Sequence, residues 1–162
     1  MDKLNSMRVL EQRKIKYIAK TYDESGAFHS ATEAAKLIGA PVESVYKTLV
    51  VLRESIKSGK PLLVMVAAHR EIDLKLLARS LGDAKQKLRM ATQKEAEALT
   101  GLQVGGISAL ALLNRGFEIC LDEPATTLEQ IHISAGKRGV DICLAVKDLI
   151  QITNARIVMA TN

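Results

Sequence analysis

Two periods of apolar residues run through the chain. Leu4, Met7 and Leu10 recur at helical spacing and predict a helix from Asn5 to about Arg13. KIKYIAKTY, which follows, reads as a strand, and DESGAF as a turn. Ser30-Ala-Thr-Glu33 has the form of a capping box. The serine hydroxyl accepts a first-turn amide and the glutamate reaches back to the cap amide, so ATEAAKLI opens as a helix that stops at Gly39. Pro41 suits the start of a short helical turn, PVESVY.

VYKTLVVL and PLLVMVAA are apolar runs of strand length, separated by the turn SGKP. Asp73 caps DLKLLARSLG, and Thr92-Gln-Lys-Glu95 repeats the capping-box form before a helix ending at Gly101. Residues Phe117 to Leu121, Gln130 to Ser134, Asp141 to Ala145 and Arg156 to Met159 read as short strands, with VKDLIQI a helix between the last two. Strands and helices in this irregular order predict an α+β fold, a mixed sheet or barrel with helices packed outside. At 162 residues, with no repeat and no linker, the chain reads as one domain spanning residues 1–162.

Composition narrows the function. The aromatic residues are Tyr17, Tyr22, Phe28, Tyr46 and Phe117, with no Trp, which argues against stacking platforms for single-stranded nucleic acid. A formal charge of +5 is compatible with a polyanionic partner. Cys120 and Cys143 sit apart inside apolar runs and read as reduced core thiols, which points to a cytoplasmic protein. No secretory signal and no membrane span is visible, since the longest apolar run is too short to cross a bilayer. His29, His69 and His132 lack partners at metal-ligand spacing, so no metal or other cofactor is expected.

Three segments carry candidate chemistry. Lys47 stands at the start of an apolar strand, on the face of Leu49 and Val51, with Thr48, Val50 and Leu52 on the other face. It either snorkels to water along its methylenes or is held in a pocket where its ammonium polarises a carbonyl or meets a phosphate. In TGLQVGGISAL, Gly101, Gly105 and Gly106 either shape a turn or aim backbone amides at an anion, with Ser108 adding a hydroxyl. In QIHISAGKRGVD, His132 and Ser134 share one strand face before the basic turn of Gly136, Lys137, Arg138 and Gly139. A solvated hairpin turn is the simpler account of Lys137 and Arg138, and a turn that of Asp122-Glu123.

The order VYKTLV, EIDLK, LTG, VGGIS, a strand ending in Asp122, SAGKRG and DICLAVKDL resembles the YbaK/ProX family of aminoacyl-tRNA deacylases, most closely the YbaK-type Cys-tRNA(Pro) deacylases. The resemblance runs from about Lys16 to the C-terminus. It implies a mixed, barrel-like sheet flanked by helices, like the editing domain inserted in bacterial prolyl-tRNA synthetases. It implies metal-independent hydrolysis of the ester between a wrongly attached amino acid and the terminal ribose of tRNA. By the same resemblance Lys47 is the essential residue. Tyr46, Thr48, Gly105, Gly106, Ile107, Ser108, His132, Ser134 and Gly136 then surround the substrate, with the glycine loop closing on the aminoacyl end. In the cysteine-specific branch the substrate's own thiol attacks its carbonyl.

The partners implied are misacylated tRNA and, for tRNA choice, prolyl-tRNA synthetase. Arg8, Arg13, Lys14, Lys57, Lys60, Lys85, Lys87, Arg89, Lys137 and Arg138 are candidates for phosphate contacts. One departure stands out: the family loop is usually Gly-x-x-x-Pro, often GGISP, and here Ala109 takes the proline's place. That leaves open removal of another amino acid such as alanine, or a non-catalytic module of the same fold that binds tRNA or a synthetase.

Overall fold

The computed structural model describes residues 3–23, 30–54 and 59–162. Most of the DESGAF turn, part of the SGKP turn, His29 and Lys57 lie outside them. The elements follow the sequence closely. Helix α1 (Asn5–Gln12) buries Met7 and Leu10, and strand β1 (Ile18–Thr21) follows. Helix α2 (Ala31–Ile38) starts at the Ser30/Glu33 capping box and ends at Gly39 in the left-handed conformation. A 3₁₀ turn at Val42–Ser44 leads into β2 (Tyr46–Arg53), which pairs with β3 (Leu62–Ala67).

Asp73 caps α3 (Leu74–Ser80), and the Thr92/Glu95 capping box opens α4 (Gln93–Thr100). Between them lies β4 (Leu88–Met90), a strand of three residues that is too short for its periodicity to register in the sequence. The second half of the chain supplies β5 (Glu118–Asp122), β6 (Gln130–Lys137), β7 (Val140–Ala145), α5 (Val146–Thr153) and β8 (Arg156–Val158). KIKYIAKTY yields only the four residues of β1, because Lys14 at φ 57 turns the chain out of α1 first. No helix among the described residues is long and apolar enough to cross a membrane.

The strands form a mixed five-stranded sheet, β4-β2-β3-β5-β8, and an antiparallel three-stranded sheet, β1-β7-β6. β3 runs antiparallel to β2 and parallel to β5, and every one of its residues is buried. Leu63, Met65 and Ala67 face the larger core, shared with α1, α5 and the inner residues of β6 and β7. Leu62, Val64 and Val66 face a second cluster with Leu77 of α3 and Val158 of β8. Burial on both faces explains the unbroken apolar run in PLLVMVAA.

The two sheets approach barrel closure along one seam. A single parallel bridge, Val45 to His132, ties the start of β2 to β6. Higher on β2, β4 pairs only with Val51–Arg53, and the Ala91 amide reaches the Val50 carbonyl. Between these ties the edge of β2 from Tyr46 to Leu49 has no neighbouring strand among the described residues.

Candidate active site

The gap in the seam is a cleft of about 140 Å³. Tyr46, Lys47, Thr48 and Leu49 line it along β2, Ser134 and Asp141 along β6 and β7, Val104, Gly105 and Ile107 from the glycine loop, and Ala31 and Ala34 from α2. Lys47 therefore sits where β2 is unpaired on one edge, and it makes no hydrogen bond or ion pair among the described residues. Alternation along β2 adds a second feature. The Val50 carbonyl points to the β4 side, so the backbone groups of Thr48, two residues earlier, face the same edge and open on the gap. The Thr48 hydroxyl is also buried and has no hydrogen-bond partner among the described residues.

Asp141 is the residue that sequence reasoning missed. It stands opposite Ser134 in the β6–β7 ladder and is 6% exposed. Burial pushes its carboxyl up to about 6, with no compensating cation. A charged residue in the apolar run VDICLA was the available signal, and pairing across the GKRG turn to Ser134 would have aimed it at the same face. Tyr46, buried at the cleft floor, has its phenol pushed up to about 12 by burial and by nearby Asp122. It is therefore a neutral hydroxyl at physiological pH.

The glycine loop is a fixed wall. Gly105, at φ +92, occupies the third position of a turn closed by the Gly106 amide on the Gln103 carbonyl. Gly106 lies against the β6–β7 hairpin, where an added Cβ would stand 2.8 Å from the Arg138 nitrogen. Arg138, expected as a solvated turn residue, donates through Nε to the Val104 carbonyl at 2.7 Å. Lys137 beside it is exposed.

Four residues expected around the substrate lie outside the cleft lining. Ser108 is fully buried, and its Oγ accepts from the Ala111 amide at the start of the 3₁₀ turn Leu110–Leu112. Gly136 occupies a bulge in β6 at φ +108 and packs against Ala111 and Ser108. Gly106 backs the loop as described. His132 sits behind the cleft, its Nδ1 3.4 Å from Ser44 Oγ and its Nε2 buried without a partner. Burial and Lys20 lower its pKa, keeping the imidazole neutral near pH 7.

Other expectations sort readily. Asp122 is a buried anchor for the C-terminal segment, accepting from the Ala160 amide and the Thr161 hydroxyl. Arg89 is committed to Glu95 by paired bonds of 2.7 Å, which leaves it poorly placed for phosphate. Cys120 and Cys143 are both buried free thiols. Among the described residues no group of three or more His, Cys, Asp or Glu is placed to hold a metal ion.

Comparisons with known proteins meet this geometry. The family model of the aminoacyl-tRNA editing domain matches residues 26–152. The chain is 34% identical over 154 residues to an Enterococcus faecalis protein named "Putative Cys-tRNA(Pro)/Cys-tRNA(Cys) deacylase EbsC", covering 95% of this chain and 90% of that one. It is 38% identical over 118 residues to a proline–tRNA ligase of Solidesulfovibrio magneticus, covering 67% of this chain and 20% of the ligase. Among solved structures, one described as a "putative trans-editing enzyme for prolyl tRNA synthetase" superposes with a TM-score of 0.78 at 26% identity, covering 100% of this chain and 99% of that one. A hypothetical protein of the same fold superposes at 0.83 with 19% identity, covering 98% and 99% of the two chains. With the match extending from the residues before α2 to α5 and enclosing every cleft residue named above, the chain belongs to the aminoacyl-tRNA editing domain family.

Proposed function

We propose that this chain, acting in trans as one domain of residues 1–162, hydrolyses the ester that joins a wrongly attached amino acid to the terminal ribose of tRNA. Cysteine on tRNA(Pro) is the foremost substrate. One observation carries the reading: an ammonium-bearing residue, Lys47, and a buried carboxyl, Asp141, line the same small cleft with no ion pair between them. An aminoacyl ester has the complementary pair of groups. Its α-ammonium suits Asp141, and its carbonyl or the neighbouring nucleotide phosphate suits Lys47.

The remaining lining fits a small amino acid. Sites for drug-sized ligands run from about 300 Å³ upward, and this cleft has about 140 Å³. Ala31, Ala34 and Ile107 offer apolar walls, while the Thr48 and Ser134 hydroxyls and the Gly105 amide supply hydrogen bonds. The ester is already activated, so positioning can supply much of the rate. For a cysteinyl ester the sulfur attacks the acyl carbon, a sulfur–carbon bond forms, and the carbon–oxygen bond to the ribose breaks. The thiol proton ends on the ribose oxygen, and water then opens the cyclic thioester that remains, breaking the new sulfur–carbon bond to give free cysteine. No protein nucleophile is required, which agrees with the high pKa of both buried cysteines.

Selection of the tRNA is assigned to a partner, prolyl-tRNA synthetase, because the chain has few features that read RNA bases. The test is a deacylation panel: Cys-, Ala- and Ser-tRNA incubated with the purified protein, with and without that synthetase. Faster loss of the cysteinyl ester than in buffer is expected. Equal stability of all three esters at stoichiometric excess of protein would sink the proposal. Preferential loss of alanine would move the specificity to that residue, which the substitution at Ala109 makes the nearest alternative.

A further inference from the structure

Val104 is held by opposite charges through the two peptides that flank it. The Val104 amide donates to Glu97 Oε2 of α4 at 2.9 Å, and the Val104 carbonyl accepts from Arg138 Nε of the β6–β7 hairpin at 2.7 Å. Both bonds are charge-assisted, the stronger class of protein hydrogen bond. The Glu97 bond fixes the Gln103–Val104 peptide, and the Arg138 bond fixes the Val104–Gly105 peptide, the central one of the Gln103–Gly106 turn and the one a turn can most readily flip. No peptide bond among the described residues is cis, so the carbonyl of Val104 and the N–H of Gly105 point in opposite directions. With the carbonyl drawn to Arg138, the Gly105 N–H is turned away from the hairpin. It has no partner among the described residues, and Val104 and Gly105 both line the cleft.

We propose that Arg138, which holds the Val104–Gly105 peptide, and Glu97, which holds the peptide before it, are positioning residues that keep the Gly105 N–H facing the acyl oxygen of the substrate. The inference rests on the deacylase reading and adds the device that orients its hydrogen-bond donor. Arg138 withdraws electron density from the carbonyl end of the same peptide, which strengthens the N–H as a donor. A loop held in this way is preorganised, and a preorganised donor contributes most where negative charge develops in the transition state.

The experiment uses the full chain and the variants Arg138→Gln, Arg138→Lys and Glu97→Gln, with two readouts: hydrogen exchange of the Val104 amide, and kcat and KM for deacylation of Cys-tRNA. The expected result is faster Val104 exchange in Arg138→Gln and Glu97→Gln. It is accompanied by a fall in kcat of about tenfold or more for Arg138→Gln, with KM changed far less and partial recovery in Arg138→Lys. Should Arg138→Gln fail to fold, Glu97→Gln reads the adjoining peptide, on the other side of Val104. Unchanged Val104 exchange in the folded variants overturns the clamp. Faster exchange with kcat intact, or a loss confined to KM, overturns its service to catalysis. Absence of deacylation by the unaltered protein counts against the deacylase reading alone, and the exchange result still decides whether the clamp exists.

Discussion

Asp141 faces Ser134 across the β6–β7 ladder, and both residues line the cleft that Lys47 borders from the other sheet. A hydroxyl and a carboxyl from the β6–β7 hairpin thus share the cleft with an ammonium from β2, far earlier in the sequence. The pairing places them around a volume that suits one small amino acid.

Lys47→Ala removes the cation from this group while leaving a strand whose register is set by β3. Deacylation is expected to fall by two orders of magnitude or more, with the thermal unfolding midpoint little changed. Turnover by the alanine variant at the unaltered rate would return Lys47 to a purely structural role.

Asp141 is expected to make the proposed reaction pH-dependent. Its carboxyl titrates near 6, so kcat/KM is expected to rise through that value as the carboxylate that binds the ammonium forms. Asp141→Asn should lose this inflection along with most activity. Stability moves the other way. The folded-state pKa lies above the ordinary 3.8, so the native state binds the proton more tightly, and this contribution is lost as pH rises from about 4 through about 6. At pH 7 the asparagine variant should therefore be more stable, by up to about 3 kcal/mol on a shift of this size. Denaturant titrations at pH 4 and pH 7 check the sign.

Gly106→Ala puts a Cβ within 2.8 Å of the Arg138 backbone nitrogen and 3.0 Å of the Lys137 carbonyl carbon. Backbone cannot swing aside as a flexible side chain can. A loss of about 1–3 kcal/mol is expected, with reduced deacylation as the loop lifts from the hairpin. A variant as stable as the parent would show that the hairpin yields freely.

Ala109 holds φ at −61, inside the range a proline ring imposes, and its amide makes no hydrogen bond among the described residues. Ala109→Pro is expected to gain about 0.4–1 kcal/mol by restricting the unfolded chain. A fall in the unfolding midpoint would mean that core packing around this fully buried residue excludes the ring. Comparing Cys- and Ala-tRNA as substrates of the two proteins then shows whether loop stiffness affects choice.

Much of the architecture was legible in the sequence because the signals are local. Ser30/Glu33 and Thr92/Glu95 cap the helices they announce, and the run LLVMVA is the strand buried on both faces. The Lys47 and glycine segments were legible partly through residue chemistry and chiefly through the order of motifs. His132 shows where alternation stops being informative. It shares a strand face with Ser134, yet one lines the cleft and the other meets Ser44 behind it, because the bridge to Val45 closes the seam between them.

By itself the sequence determined the α-helices, every strand except β4, the family and Lys47 as the candidate for the proposed chemistry, since each depends on neighbours within a few residues or on motifs in order. Only the tertiary structure decided which polar residues share the cleft. Asp141 reaches it through antiparallel register, Thr48 through a missing neighbour strand, and Arg138 serves its wall by reaching 34 residues back along the chain to the Val104 carbonyl. Those relationships are set by the pairing of distant segments, and no local period records them.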